Sequence, residues 1–155
     1  VNAKKVQIKS KIIMGVQERT SNALESDFES AKIPSLWREY FQSAILDPIP
    51  NEVENRPPYA IYSNFKSKKD GEYDVTVGAE VSKASKSAQY KAVTIEDGSY
   101  LRFDAQGQMP MATANLWAKI WKFFETNTQY NRSFKTDFEI YPGEDEVSIY
   151  IGINE

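Results

Sequence analysis

The residues best suited to chemistry in this chain lie in Phe138-Glu139-Ile140-Tyr141. In an extended strand Phe138 and Ile140 face one way and Glu139 and Tyr141 the other. With both faces covered, Glu139 is a carboxylate in an aromatic environment, where its charge is costly unless a proton or a cation restores the balance. An organic cation would do so by Coulomb attraction and by contact with aromatic faces. With one face wet, Glu139 is an ordinary surface acid. Trp117 and Trp121 share one face of a helical stretch, either as core or as the wall of a cavity. Tyr62, Tyr141 and Tyr150 either turn their hydroxyls toward that cavity or line the rim of a sheet with wet hydroxyls. Glu80 is a second acid and reads as an exposed strand-end residue. Glu144-Asp145-Glu146 reads as a solvated turn.

Composition limits what these residues can do. The 155 residues contain no histidine and no cysteine, which excludes imidazole bases, thiolate nucleophiles, the usual zinc ligand sets and disulfides. Three Trp, nine Tyr and eight Phe make the chain 13% aromatic, a balance that favours a binder over an enzyme. Nineteen basic residues against 22 acidic ones give a net charge of −3. Nucleic-acid binding usually leaves a basic footprint, so no direct nucleic-acid contact is expected. The densest basic cluster, Lys66-Ser67-Lys68-Lys69, runs into Asp70-Gly71-Glu72 and reads as a hairpin tip. No glycine-rich phosphate loop, EF-hand or dinucleotide fingerprint is present, so no metal or cofactor is expected. No run approaches the roughly 18 apolar residues of a membrane span, and the start Val1-Asn2-Ala3-Lys4-Lys5 does not read as a signal peptide. The expected setting is cytoplasmic, without membrane contact.

The elements that must position these side chains follow from periodicity. Val6 to Val16 alternates as a strand in which Gly15 marks a bulge. Residues 20–31 read as a loop. Pro34 opens a helix in which Ile33, Leu36, Trp37, Tyr40, Phe41 and Ala44 recur every three or four residues, ending near Leu46. An irregular link bounded by Asp47-Pro48 and Pro57-Pro58 leads to strands over 59–65 and 73–81, joined at Lys69-Asp70-Gly71. A hairpin is expected from Tyr90 to Phe103, turning at Asp97-Gly98. Pro110 opens a second helix to about Glu125. Strands over 134–141 and 147–153 flank a turn at Pro142-Gly143. Gly78 and Gly152 sit in strand interiors, where a bulge or the close approach of a helix or ligand would explain them.

The order strand, helix, strand, strand occurs twice. Leu36-Trp37-Arg38-Glu39-Tyr40-Phe41 aligns with Leu116-Trp117-Ala118-Lys119-Ile120-Trp121, and Ile61-Tyr62 aligns with Ile140-Tyr141. Val75-Thr76-Val77-Gly78-Ala79 aligns with Ile149-Tyr150-Ile151-Gly152-Ile153. The reading is an α+β fold in one domain, 1–155, with an internal repeat over about 4–82 and 89–154. Two β-α-β-β units share one curved antiparallel sheet, with two main helices around a central pocket.

These motifs also resemble a known family. Ile33-Pro34-Ser35-Leu36-Trp37, the strand Gly71 to Val81, Met109-Pro110 with Trp117 to Trp121, and Asp137 to Tyr141 followed by Ile149-Tyr150-Ile151 are similar to the GyrI-like effector-binding domains. The likeness spans nearly the whole chain. Related domains are fused to DNA-binding modules in AraC-type and MerR-type multidrug-sensing regulators, and this chain resembles a stand-alone member. The resemblance implies a hydrophobic pocket with a key acid, matched by Glu139, and with Trp117, Trp121 and Tyr141 as walls, joined by Tyr62 and Tyr150. It implies binding of small, lipophilic, cationic molecules. Two other activities occur in such proteins. One is hydrolysis of electrophilic toxins, which here would use Glu139 as base and Tyr141 or Tyr62 as proton donor. The other is a protein contact, with a gyrase-like protein or a separate DNA-binding regulator as partner.

Overall fold

A computed structural model describes all of residues 1–155. In chain order the elements are β1 (Lys4–Ile8), β2 (Lys11–Ser21), α1 (Asn22–Glu25), α2 (Ile33–Leu46), β3 (Tyr59–Ser63), β4 (Glu72–Val81), β5 (Lys91–Ile95), β6 (Gly98–Gln106), α3 (Met111–Thr126), β7 (Arg132–Gly143) and β8 (Glu146–Ile153). All eight strands form one antiparallel sheet, curled into a half-barrel, in the order β1-β6-β8-β7-β3-β4-β2-β5.

The duplication is visible in that order. The units β2-α2-β3-β4 and β6-α3-β7-β8 meet where β3 pairs with β7. In that ladder Tyr59 faces Ile140, Ala60 faces Glu139 and Ile61 faces Phe138. The repeat offset of 79 residues that aligns Ile61 with Ile140 also aligns Ala60 with Glu139. The pseudo-twofold axis therefore passes between Ala60 and Glu139, and the candidate acid stands at the centre of the molecule.

Two expected connections are different in the structure. Val6 to Val16 is not one strand: it breaks at Lys9-Ser10, β1 pairs with β6, and β2 pairs with β4 and β5. The hairpin expected over 90–103 does not form, because β5 pairs with β2 while β6 pairs with β1 and β8. The two errors are equivalent. Each half sends its first strand across to extend the edge of the other half. Period-two alternation reports which faces a strand has and is silent about its neighbour. At the second crossing Gly98 has φ +152°, a backbone state that glycine adopts without strain. Residues 20 and 21, expected in a loop, complete β2, and α1 follows directly.

Gly15 makes no bulge. It pairs in register with Gly78 across β2 and β4. A β-carbon on Gly15 would lie 1.9 Å from the Val77 carbonyl oxygen, and one on Gly78 would lie 2.0 Å from that of Met14. The close approach expected at Gly78 is thus that of the next strand, not of a helix or ligand. At Gly152 it is likewise β7, with Ser133 and Thr136 against the missing β-carbon. The ladder also shifts the third alignment by two residues. Ile61 pairs with Thr76, and its equivalent Ile140 pairs with Ser148. Thr76 therefore corresponds to Ser148, and Gly78 to Tyr150.

Both long helices pack on one face of the sheet. Leu36 and Tyr40 of α2 join Met14, Val75 and Val77, while Leu116 and Ile120 of α3 join Phe103, Ile149 and Ile151. The opposite face curls around Ile13, Ile61, Tyr100 and Phe138. There the Glu96 N–H donates to Thr136 Oγ1 at 3.1 Å, tying the end of β5 to β7. Burial of the two helix stripes is what fixes α2 and α3 on either side of the axis. A cleft above β3 and β7 is left between them.

Candidate ligand-binding site

Glu139 lies at the floor of this cleft, 2% exposed. Its Oε2 accepts from Trp117 Nε1 at 2.6 Å and from the Tyr62 hydroxyl at 2.7 Å, and its Oε1 accepts from the Tyr141 hydroxyl at 2.7 Å. No lysine or arginine nitrogen lies within 4.0 Å. Burial pushes the Glu139 carboxyl above its ordinary value, and the three donors pull it back only in part. Burial and the neighbouring Glu139 likewise hold the Tyr62 and Tyr141 phenols well above theirs. The result is a neutral donor set closed around one acid, with no cation supplied by the protein.

A cavity of about 810 Å³ opens above Glu139, within the range of small-molecule sites. Its walls repeat across the axis. Trp117 meets Tyr62 edge-on at 5.3 Å and 80°, and Trp37 meets Tyr141 edge-on at 5.3 Å and 90°. Trp121 and Phe41, one helical turn further along α3 and α2, extend the two walls toward solvent, 42% and 53% exposed. Ala60 opposite Glu139 is completely buried. Its small side chain breaks the pseudo-symmetry at the centre, so one acid serves both halves.

Of the residues named from sequence, Glu139, Tyr141, Trp117, Trp121 and Tyr62 all line this cavity. Tyr150 does not. It stacks on Phe138 at 4.4 Å and 6°, on the face turned away from the helices. Strand parity explains this, since Ile149 and Ile151 point toward α3 and Tyr150 alternates with them. Glu80 is on that far face too, and it is not a free strand-end acid. It accepts from the Tyr59 hydroxyl at 3.1 Å and lies 3.4 Å from Arg56 Nε.

Sequence reasoning missed Trp37 and Phe41 as walls, although its own alignment already set them opposite Trp117 and Trp121. It also missed Asp137, which shares parity with Glu139 and is fully buried. Burial pushes the Asp137 carboxyl up, while Arg132 beside it and the Gly152 N–H pull it down. The Arg132–Asp137 contact measures 2.6 Å, and the guanidinium sits 4.3 Å above the Phe134 ring. Phe134 has φ +54°, an uncommon state for a bulky residue, at an irregularity in β7.

Comparison with known proteins agrees with this architecture. No curated protein matches the chain in sequence. An integron cassette protein from the mobile metagenome of Vibrio cholerae is 27% identical and superposes with a TM-score of 0.82 over 98% of this chain and 95% of its own. SAV2435 bound to tetraphenylphosphonium is 16% identical, with a TM-score of 0.76 over 99% of this chain and 94% of that one. The EcmrR C-terminal domain is 13% identical, with a TM-score of 0.67 over 99% and 98%. The fold is that of the GyrI-like domains. A sequence model described as Cass2, integron-associated effector binding protein, matches residues 6–153. With that match over nearly its whole length, the chain belongs to the Cass2 family of effector-binding proteins.

Proposed function

We propose that the cavity binds a lipophilic organic cation, with Glu139 as its counter-charge and the paired indole and phenol rings as its walls. The observation that carries this reading is the buried Glu139 carboxylate, held by three neutral donors and unpaired with any basic side chain. A cation about 5 Å away, at an effective dielectric near 20, gains about 3 kcal/mol, or about two decades in Kd. The aromatic faces add to this and accept flat or propeller-shaped ligands of varied outline. The tetraphenylphosphonium of the SAV2435 structure is such a ligand, bound there to that protein.

Burial next to the Glu139 charge holds the Tyr62 and Tyr141 phenols protonated, which suits them to donate hydrogen bonds to that carboxylate. Tetraphenylphosphonium and tetraphenylborate have nearly the same shape and opposite charge, so they isolate the role of Glu139. Tryptophan fluorescence is expected to show the cation binding about 10⁴-fold more tightly than the anion, attraction of one and repulsion of the other each giving about two decades. Equal affinity for the two would overturn the proposal. Trp117→Phe keeps a ring in the wall and removes one donor to Glu139. It is expected to weaken cation binding about fivefold to tenfold, measured by calorimetry.

A further inference from the structure

The cavity continues past Tyr62 into a second lobe, and its charges are divided between the two ends. Ring contacts trace the path: Tyr62 to Tyr73 at 5.6 Å, Tyr73 to Phe65 at 5.7 Å, and Phe65 to Phe134 at 5.6 Å. The lobe is closed by α1 and by the β3–β4 hairpin, which are fastened together. The Tyr73 hydroxyl donates to Asn22 Oδ1 at 2.7 Å, and the Asn22 amide donates to the Lys69 carbonyl at 3.3 Å.

The basic residues of the cavity, Lys68, Lys69 and Arg132, belong to this end. Two carboxylates share this end, both hydrogen-bonded but only one of them beside a cation. Glu25 accepts from the Thr20 hydroxyl at 2.6 Å and from the N–H groups of Lys32 at 2.9 Å and Ile33 at 3.1 Å. Asp137 accepts from Arg132 at 2.6 Å and from the Gly152 N–H at 2.9 Å. Neither Lys68 nor Lys69 has a carboxylate within 4.0 Å, and the Arg132 Nε is buried without an acceptor. At the other end Glu139 and Glu144 line the cavity, neither with a basic side chain within 4.0 Å. One end thus holds two carboxylates and no base, while the other sets three basic side chains against two carboxylates, of which Asp137 has a cation beside it and Glu25 has neutral donors alone.

We infer that the ligand is amphoteric: a lipophilic cation seated over Glu139 that carries a carboxylate reaching Lys68 and Lys69. The inference rests on the cation reading of the Glu139 end and adds the chemistry of the opposite end. An apolar lane of rings joins the ends, which suits an aromatic spacer between the two charges.

The test uses benzyltriphenylphosphonium and (4-carboxybenzyl)triphenylphosphonium, which differ by one carboxylate. Both are titrated into the protein at low and high salt, followed by tryptophan fluorescence. The carboxylate form is expected to bind about fivefold more tightly at low salt, with the gap narrowing at high salt because Lys68 and Lys69 are exposed to solvent. Lys68→Gln combined with Lys69→Gln should bring the ratio of the two affinities to about one. Equal or weaker binding of the carboxylate form by the unmodified protein overturns the inference and leaves the cation reading standing. So does a preference that survives the double replacement. Failure of both probes to bind overturns the cation reading and this inference with it.

Discussion

Glu139→Gln is expected to lower affinity for tetraphenylphosphonium by about 100-fold and to erase its advantage over tetraphenylborate, while the protein stays folded. The fold should survive because glutamine satisfies the same donors. Trp117 and Tyr62 both donate to one oxygen, Oε2, which the amide oxygen can replace. The amide nitrogen then stands where Oε1 was and donates to the Tyr141 oxygen. The Tyr141 hydroxyl hydrogen can turn to Thr113 Oγ1, 3.3 Å away. What is lost is charge alone. Calorimetric titration of both ions into both proteins measures the effect. A variant that kept its preference for the cation would show that the charge of Glu139 is not what attracts it.

The same substitution has a consequence for pH. The Glu139 carboxyl is raised above its ordinary value of 4.5, so the folded protein holds that proton more tightly than the unfolded chain. Its contribution to stability is full below pH 4.5 and is lost as pH rises through the folded value. The ligand-free parent should therefore lose stability relative to Glu139→Gln over that rise. Cation affinity of the parent should increase over the same interval, because only the carboxylate attracts. Denaturant titrations of both proteins across that range read the first effect. A constant difference in stability at all pH values would show that burial does not perturb the group.

Gly15→Ala is expected to cost more than about 4 kcal/mol, a large share of the roughly 5–15 kcal/mol that keeps a domain folded. The added β-carbon would sit 1.9 Å from the Val77 carbonyl oxygen and 2.6 Å from the Gly78 α-carbon. Both obstacles are backbone in a buried ladder, so no side chain can rotate away. Relief requires β2 and β4 to separate, which breaks the pairing that carries α2. Urea unfolding followed by circular dichroism gives the measurement. A loss below about 1 kcal/mol, the usual cost of an ordinary substitution, would mean that the two strands can move apart cheaply.

The two glycines show where sequence reading stops. Gly78 was recognisable as a strand glycine needing a reason, and Gly15 as a local irregularity. Neither revealed that each is the other's reason, because a cross-strand pair is a property of register. The exchange of β1 and β5 between the halves was hidden in the same way. A linker of two residues, Lys9-Ser10 or Glu96-Asp97, looks the same whether the chain turns back or crosses to the far edge. For Tyr150 the parity was available, since Ile149 and Ile151 are the apolar partners that face α3. Residue type alone points the other way, toward a hydroxyl in the cavity.

The residues by themselves determined the repeat of β-α-β-β, the two amphipathic helices and the parity that sets Glu139 and Tyr141 on one face. Those follow from 3.6- and two-residue periods, which are local. They also determined that the cavity holds neither imidazole nor thiol, since the chain has no histidine or cysteine. Only the tertiary structure decided that Glu139 is buried, that Ala60 stands across from it on the axis, and that Trp37 and Phe41 complete the walls. Burial is a sum over neighbours brought from distant positions in the chain. A strand alternating in sequence carries no record of whether its second face will meet water, as the Tyr59–Glu80 face partly does, or a helix, as the Tyr141–Glu139 face does.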